Sequence, residues 1–527
     1  MNKIKSNLNK WLVISLALVI PSLPFVNINE NRAPSPEGKQ KDMTFGSWWP
    51  GDYSSPDSDQ ALSELREDGV DWISLLVTWY QDTYTSTTIS AAPNTPTDDD
   101  LAHAINHAHS LGMKVMLKPH LDLANDPTHW RGEIGIGFSE SEWNTWFASY
   151  KTFIYHYAQL AQAEGVDQFC IGTELSSTEF RAADWRSVIV GMRALFTGPL
   201  TYASNHDTEE AITWWDGVDF IGVDAYYPLT DKNDPTVEEL KAAWAPRVAS
   251  LKVLSESWGK PILFTEIGYS SQDGANQHPW AYVPGVPIDL QEQADLYQAL
   301  FESFYNQTWF SGIFWFWWLT DPFQGGPCDL EASPHDKPAE AVMRLWFGAP
   351  PKLEQDPALD YTRTMTVYTD ELGAGWENWS WGGTYDFAST EQVASGAFAI
   401  SADAGPWGAV ALHYENFATV PYYWLELYVY KSSAASSLKV YANDENDVEL
   451  RNRPVEYCRY TGNQPITPGV WTRVRIPLKD LNASNRIIHR LSIGNNSDQS
   501  FTFYVDEVRL VGARFDILLP IIKRSPP

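Results

Sequence analysis

The chain has 527 residues, 44% of them apolar, and its 37 basic and 67 acidic side chains leave a formal charge of −30. The apolar share excludes wholesale disorder, and the acidic excess argues against nucleic acid and anionic membrane surfaces, which call for basic stripes. This length predicts two or three domains. Aromatic residues reach 14%, with 25 Trp and 25 Tyr, flat rings that suit sugar faces as well as a large core.

The first element in the chain is a targeting segment. Lys3, Lys5 and Lys10 precede the apolar run Trp11–Val26, which Pro21 and Pro24 interrupt. It is shorter than the roughly 20 residues of a membrane-spanning helix, so residues 1–26 fit a secretory signal, or an N-terminal anchor since no A-x-A cleavage site follows. Residues 27–42 read as a polar linker. The rest is expected outside the cytoplasm, secreted or tethered to the cell surface.

From Met43 short β-like runs alternate with helical patterns. The runs are Thr44–Trp49, Trp72–Tyr80, Val115–Leu121, Phe169–Leu175, Leu200–Ser204, Phe220–Tyr227, Ile262–Tyr269 and Ile313–Leu319. Helices are predicted over Asp98–Leu111, opened by three aspartates and closed by Gly112, and over Ser141–Glu164, closed by Gly165. This alternation predicts a (β/α)8 TIM barrel over residues 43–350. A doubly wound open sheet is disfavoured, because no glycine-rich phosphate turn follows the first strand.

Gly348-Ala349-Pro350-Pro351 starts a break, and residues 351–364 read as linker. Residues 365–512 show short alternating runs such as Tyr422–Tyr430, Trp471–Ile476 and Phe501–Val505, predicting a jelly-roll-like β-sandwich resembling a carbohydrate-binding module. Trp376, Trp379 and Trp381 are expected to line one face of it, in its core or against a glycan. The tail, 513–527, holds the apolar stretch Ile517–Ile522, too short to span a bilayer.

Cys170, Cys328 and Cys458 form no C-x-x-C pair, which speaks against a zinc ribbon or a dithiol site. One disulfide is possible, and Cys170 fits as a packed residue of its strand. No metal is expected. His103 and His107 lie four apart on a surface helix without further ligands, and Asn443–Asp447 lacks the central glycine of a helix-loop calcium site. Thr44–Trp49 has no H-x-H pair of the metal-dependent amidohydrolase kind.

In such a barrel, chemistry sits at the C-terminal ends of the strands. The fourth and seventh runs end in Glu174 and Glu266 within apolar settings, where a carboxylate is costly unless paired or used. Glycoside hydrolysis needs such a pair, one protonated and the other ionised. Tyr226, ending strand six, could hydrogen-bond Glu266 and keep it ionised. Trp315 and Trp317 alternate on strand eight and should face one side, Trp317 as sugar platform and Trp315 as core filler. Of Trp48 and Trp49 at most one should line the cleft, with Trp48 the candidate. Lys118 and His120 form an inward-facing pair that could bind sugar hydroxyls. Asn205, closing strand five, is a further substrate-binding candidate beside His206.

Five segments carry a family resemblance: Phe45-Gly46-Ser47-Trp48-Trp49, Leu117-Lys118-Pro119-His120, Ile171-Gly172-Thr173-Glu174, Asp224-Ala225-Tyr226-Tyr227-Pro228 and Phe264-Thr265-Glu266-Ile267-Gly268-Tyr269. Over residues 43–347 the chain resembles the retaining glycoside hydrolases of clan A, most of all family 113, the β-mannanases. The resemblance implies Glu174 as acid/base and Glu266 as nucleophile, with no metal or organic cofactor. It also implies a β-1,4-mannan polysaccharide as substrate, cut within the chain by double displacement. One departure is Thr173, where many clan members carry an Asn that binds the sugar 2-hydroxyl, so other β-glycans stay open. The alternatives are a clan A hydrolase or transglycosylase for another β-glycan, and a non-catalytic glycan-binding protein on a barrel scaffold.

Overall fold

The computed structural model describes residues 38–352, 357–433 and 437–514. The targeting segment 1–26, most of the 27–42 linker and nearly all of the tail lie outside the described residues. Eight parallel strands close into a barrel in sequence order. They are β1 (Gln40–Gly46), β2 (Trp72–Gln81), β3 (Lys114–Leu123), β4 (Gln168–Thr173), β5 (Leu200–Asn205), β6 (Phe220–Asp224), β7 (Ile262–Ile267) and β8 (Phe310–Leu319). Among the described residues seven helices surround them: α1 (Pro56–Glu67), α2 (Asp98–Ser110), α3 (Glu140–Ala163), α4 (Ala182–Leu195), α5 (Val237–Trp258), α6 (Leu290–Phe304) and α7 (Pro338–Phe347). The β5–β6 connection has two short 3-10 turns, Glu209–Ala211 and Trp215–Gly217, instead of an α-helix.

Local chemistry explains the boundaries. α2 starts one residue after Thr97, whose hydroxyl accepts from the Asp100 N–H while Asp100 caps the Thr97 N–H in return. Ser139 and Glu142 repeat this box at α3, and Thr236 and Glu239 at α5. α5 ends on Gly259 at φ +63°, a left-handed position glycine fills without penalty. β1 opens at Gln40, so Gln40–Asp42, read as linker from sequence, belong to the barrel. Inside the barrel Met116, Cys170, Ala203, Leu263 and Phe314 pack as one layer, and Cys170 is a buried free thiol.

Not all of the buried barrel positions are apolar. Asp42 on β1 is fully buried and neither carboxylate oxygen finds a hydrogen-bond partner among the described residues. Burial, reinforced by the nearby Asp71 charge, pushes its carboxyl well above the ordinary range. The folded state therefore holds the proton more tightly than the unfolded chain, and this contribution to stability is lost as pH rises. Asp42→Asn is expected to raise the melting temperature by a few degrees at neutral pH, with the gain shrinking toward pH 4. Calorimetry across that range checks it; a gain independent of pH would remove ionisation as the cause.

The C-terminal domain is a single curled antiparallel sheet of ten strands. They are β9 (Ala358–Tyr368), β10 (Trp376–Asn378), β11 (Trp381–Ser389), β12 (Ala399–Ala418), β13 (Trp424–Lys431), β14 (Leu438–Asp444), β15 (Arg453–Pro454), β16 (Thr472–Pro477), β17 (Ile487–Asn495) and β18 (Phe501–Arg514). The long β12 and β18 each pair with several neighbours, which lets the sheet bend over its own core of Leu412, Leu425, Ile476, Leu491 and Phe503. Strand pairing already begins at Ala358, inside the stretch read as linker. The three tryptophans expected on one face separate. Trp376 joins the core, whereas Trp379 and Trp381 are exposed, Trp379 stacking on His413 at 3.5 Å. Three residues part Trp376 from Trp379, an odd step that turns the side chain over.

The barrel and this sheet are joined by dense contacts. Phe323, in the β8–α7 loop, lies under the guanidinium groups of Arg451, Arg453 and Arg459, with Arg453 3.7 Å from the ring centre. Arg451 and Arg453 pair with Asp57 at the start of α1, at 2.5 and 3.4 Å. The Tyr457 hydroxyl donates to Asp321 at 2.6 Å. Cys328 and Cys458, 130 residues apart, form a disulfide.

Candidate active site

β4 and β7 deliver the two carboxylates to the same end of the barrel. Glu174 follows β4 directly in a left-handed backbone conformation, φ +53°, and its N–H donates to the Ala203 carbonyl of β5 at 2.8 Å. Few side chains other than glycine's tolerate that region, so the fold holds Glu174 there against a local penalty. Glu266 is the fifth residue of β7. Both are largely buried, with side chains 19% and 11% exposed.

Their partners differ in kind. Glu266 accepts from the Tyr226 hydroxyl on Oε1 at 2.7 Å and from Lys118 Nζ on Oε2 at 2.8 Å. Two donors on two oxygens suit a carboxylate, leave little rotational freedom and fix its direction. Lys118 has no exposed side-chain surface and also binds Asp224 Oδ1 at 3.2 Å and the Thr265 carbonyl at 3.2 Å. Burial works against its charge, but Asp224 and Glu266 outweigh it and hold the ammonium above its ordinary value. Lys118 therefore does not bind sugar hydroxyls, as its inward direction had suggested. It locks the β6 and β7 carboxylates together beneath the site, its three protons already committed.

Among the described residues Glu174 has no hydrogen-bond donor of that quality. Burial raises its carboxyl above the ordinary range; the Arg131 charge opposes this, and the Glu266 charge adds to it. A carboxyl that keeps its proton to higher pH is what a general acid requires. Arg131, from the loop after β3, stands 3.8 Å from Glu174 Oε2 and binds Asp122 at 3.1 Å and His120 Nδ1 at 3.1 Å. His120 is held neutral, its affinity for a proton lowered first by burial and then by the Arg131 and Lys118 charges. With Nδ1 accepting from Arg131, the His120 proton sits on Nε2, a buried donor without a protein partner among the described residues.

Arg131 was not apparent from sequence, since nothing in a loop arginine announces which strand end it reaches. Its charge favours ionised Glu174, so Arg131→Met is expected to move the alkaline limb of the kcat/KM profile to higher pH. An unshifted limb would show that Arg131 does not sense the acid/base. Asp224 was also missed, although it opens the segment that holds Tyr226.

The remaining sequence candidates take varied places. Asn205 is half-buried at the end of β5, in register with Asp224, and its Oδ1 has no partner among the described residues. Trp317 meets Trp48 with ring centres 5.1 Å apart. A cavity of about 470 Å³ opens beside them, and both Trp48 and Trp49 line it. Trp315 and Trp317 do not share a face. β1 residues Met43 and Phe45 pair with Trp315 and Trp318, so β8 carries one extra residue there, and the Phe316–Trp317 peptide is cis. The bulge breaks the two-residue period. Trp315 turns outward and stacks on Tyr297 of α6 at 3.7 Å, while Trp317 faces the cavity. His103 and His107 both face Asp59, at 2.8 and 3.6 Å, on the helix surface.

These features agree with relatives found by comparison. The family model of Glycoside Hydrolase Family 113 matches residues 43–326, and that of the expansin-like protein C-terminal domain matches residues 367–513. A solved GH113 β-1,4-mannanase is 26% identical, its whole length covered by 59% of this chain at a TM-score of 0.54. The GH113 β-mannanase AaManA of Alicyclobacillus acidocaldarius, solved in complex with ManMIm, is 32% identical, with 98% of it covered by 59% of this chain at the same TM-score. No curated protein matches the chain. With one carboxyl poised to give a proton and the other aimed by two donors, on a barrel whose family model spans more than half the chain, the protein belongs to glycoside hydrolase family 113 and is a glycoside hydrolase.

Proposed function

We propose that the enzyme hydrolyses β-1,4-mannan-type polysaccharide within the chain and with retention of anomeric configuration. The observation that carries the mechanism is the asymmetry between Glu174 and Glu266. Glu266, aimed by Lys118 and Tyr226, attacks the anomeric carbon as Glu174 protonates the departing glycosidic oxygen. The resulting glycosyl-enzyme is opened by water, from which Glu174, now ionised, takes the proton. His120 Nε2 and Asn205 are free to meet hydroxyls of the sugar at the scissile bond. Trp48 and Trp317 offer ring faces to its neighbours.

Mannan as substrate is supported by the solved relatives, which are β-mannanases. The −30 charge suits a neutral polysaccharide, which needs no electrostatic steering. Work outside the cytoplasm is supported by the basic and apolar N-terminal pattern and by the Cys328–Cys458 disulfide, a bond that persists in oxidising surroundings.

Reducing ends released from mannan, glucomannan, cellulose and xylan, with Glu174→Gln as control, test the substrate. Mannan and glucomannan should be cut and the variant should be nearly silent. Proton NMR of the first-formed product should show the β-anomer, and mannan viscosity should fall faster than reducing ends appear. An α-anomer would overturn retention, and constant viscosity would overturn internal cutting.

A further inference from the structure

The barrel enzymes similar to this one are covered almost completely by 59% of this chain, so they offer no counterpart for a contribution of the C-terminal sheet to the cleft. In this protein the two meet at Trp317. One cavity, with Trp48 and Trp49 on its wall, lies on the barrel side of the Trp317–Gln324 segment. A second, of about 280 Å³, shares Trp317, Leu319, Asp321 and Gln324 with it and is closed on its far side by Glu456, Tyr457 and Cys458 of the C-terminal domain. Its volume is near that of the smaller ligand pockets.

We propose that this second cavity is a sugar subsite shared by the two domains, in which Glu456 and Tyr457 bind a unit of the glycan chain beyond the Trp48–Trp317 pair. The inference rests on the enzyme being a β-glycan hydrolase. Three polar atoms of the lining residues are left without partners among the described residues. Glu456 Oε1 is bound by Lys431 at 2.7 Å and by the Leu438 N–H at 3.1 Å, while its Oε2 is buried and has no partner among the described residues. The indole N–H groups of Trp317 and Trp318 are likewise buried and unpartnered there. One acceptor and two donors beside a ring face match a pyranose, which offers hydroxyls around its edge and C–H groups on its face. An unmet buried polar group costs stability, so the ligand recovers what the empty site loses.

The wall is also rigid, as a binding surface should be. Tyr457 is tied to Asp321, Cys458 to Cys328, and the neighbouring arginines to Phe323 and Asp57. A sugar here stands further along the chain from the scissile bond than one at Trp317, so its binding tells only on longer substrates.

The test uses the full chain with Glu456→Gln, which keeps the Lys431 contact and replaces the free acceptor by a donor, and Tyr457→Phe as an independent change. Manno-oligosaccharides of two to six units are assayed for kcat/KM, and mannohexaose binding is followed by tryptophan fluorescence. The expected penalty grows with chain length and reaches about tenfold in kcat/KM on the hexaose for Glu456→Gln. Values equal to wild type at every length overturn the subsite, and so does a uniform loss at all lengths, which marks damage to the fold or the catalytic centre. If the wild type cleaves none of the oligosaccharides, the mannanase reading has failed and the titration decides alone. Weaker hexaose binding by both variants then supports the subsite, and unchanged binding overturns it.

Discussion

Glu266→Ala is expected to lower kcat by about 10⁴-fold or more and to leave mannan binding close to that of the wild type. The carboxylate is the group at the end of β7 that both Lys118 and Tyr226 aim. Removing it opens a gap on the side from which the anomeric carbon is attacked. A small anion such as azide should enter that gap, restore part of the turnover on an activated aryl β-mannoside, and give the α-mannosyl azide. Glu174→Ala with the same substrate should instead accumulate glycosyl-enzyme, and azide should yield the β-product. A Glu266→Ala enzyme that keeps its turnover would dismiss the assignment, and a protein equally silent before and after the change would be a binder and no enzyme.

The second large effect concerns Lys118. Lys118→Met leaves Asp224, fully buried, facing Glu266 without the intervening cation. Breaking such a buried group typically costs about 3–5 kcal/mol, because the two carboxylates lose their cation and keep only the neutral hydroxyls of Tyr226 and Thr265. Activity should fall as well, by about 10²–10³-fold, since Glu266 loses one of its two aiming bonds. The combination Lys118→Met with Asp224→Asn separates the two consequences. It removes one of the stranded carboxylates and should recover much of the stability, while kcat stays low. Recovery of both together would mean that Lys118 serves the fold alone.

The barrel was legible because its signals are local. Each strand carries a compact apolar run, and the helix boundaries follow from Thr97, Ser139 and Gly259, whose conformational preferences act within one turn. The rule that chemistry lies at strand ends then led to Glu174, Glu266 and Tyr226. What sequence could not give is what depends on a third partner. The inward direction of Lys118 follows from the strand period, but its role depends on Asp224 from β6 reaching the same point. Arg131 comes to Glu174 through a loop with no period at all. A single inserted residue in β8 was enough to send Trp315 and Trp317 to opposite sides. The odd spacing from Trp376 to Trp379 was visible in the chain and separates core from surface.

The Cys328–Cys458 bond bridges the connection between barrel and sheet, so it closes a loop of 130 residues around that junction. Protease attack tends to fall on exposed junctions of this kind. A nick there would ordinarily set the sheet free to diffuse away and open one side of the cleft. Here the severed pieces stay covalently attached, held in place by the arginines around Phe323. A digested sample should run as one band without reductant and as two with it. The working lifetime of the enzyme is thereby set less by the first cut than by the loss of a sulfur–sulfur bond.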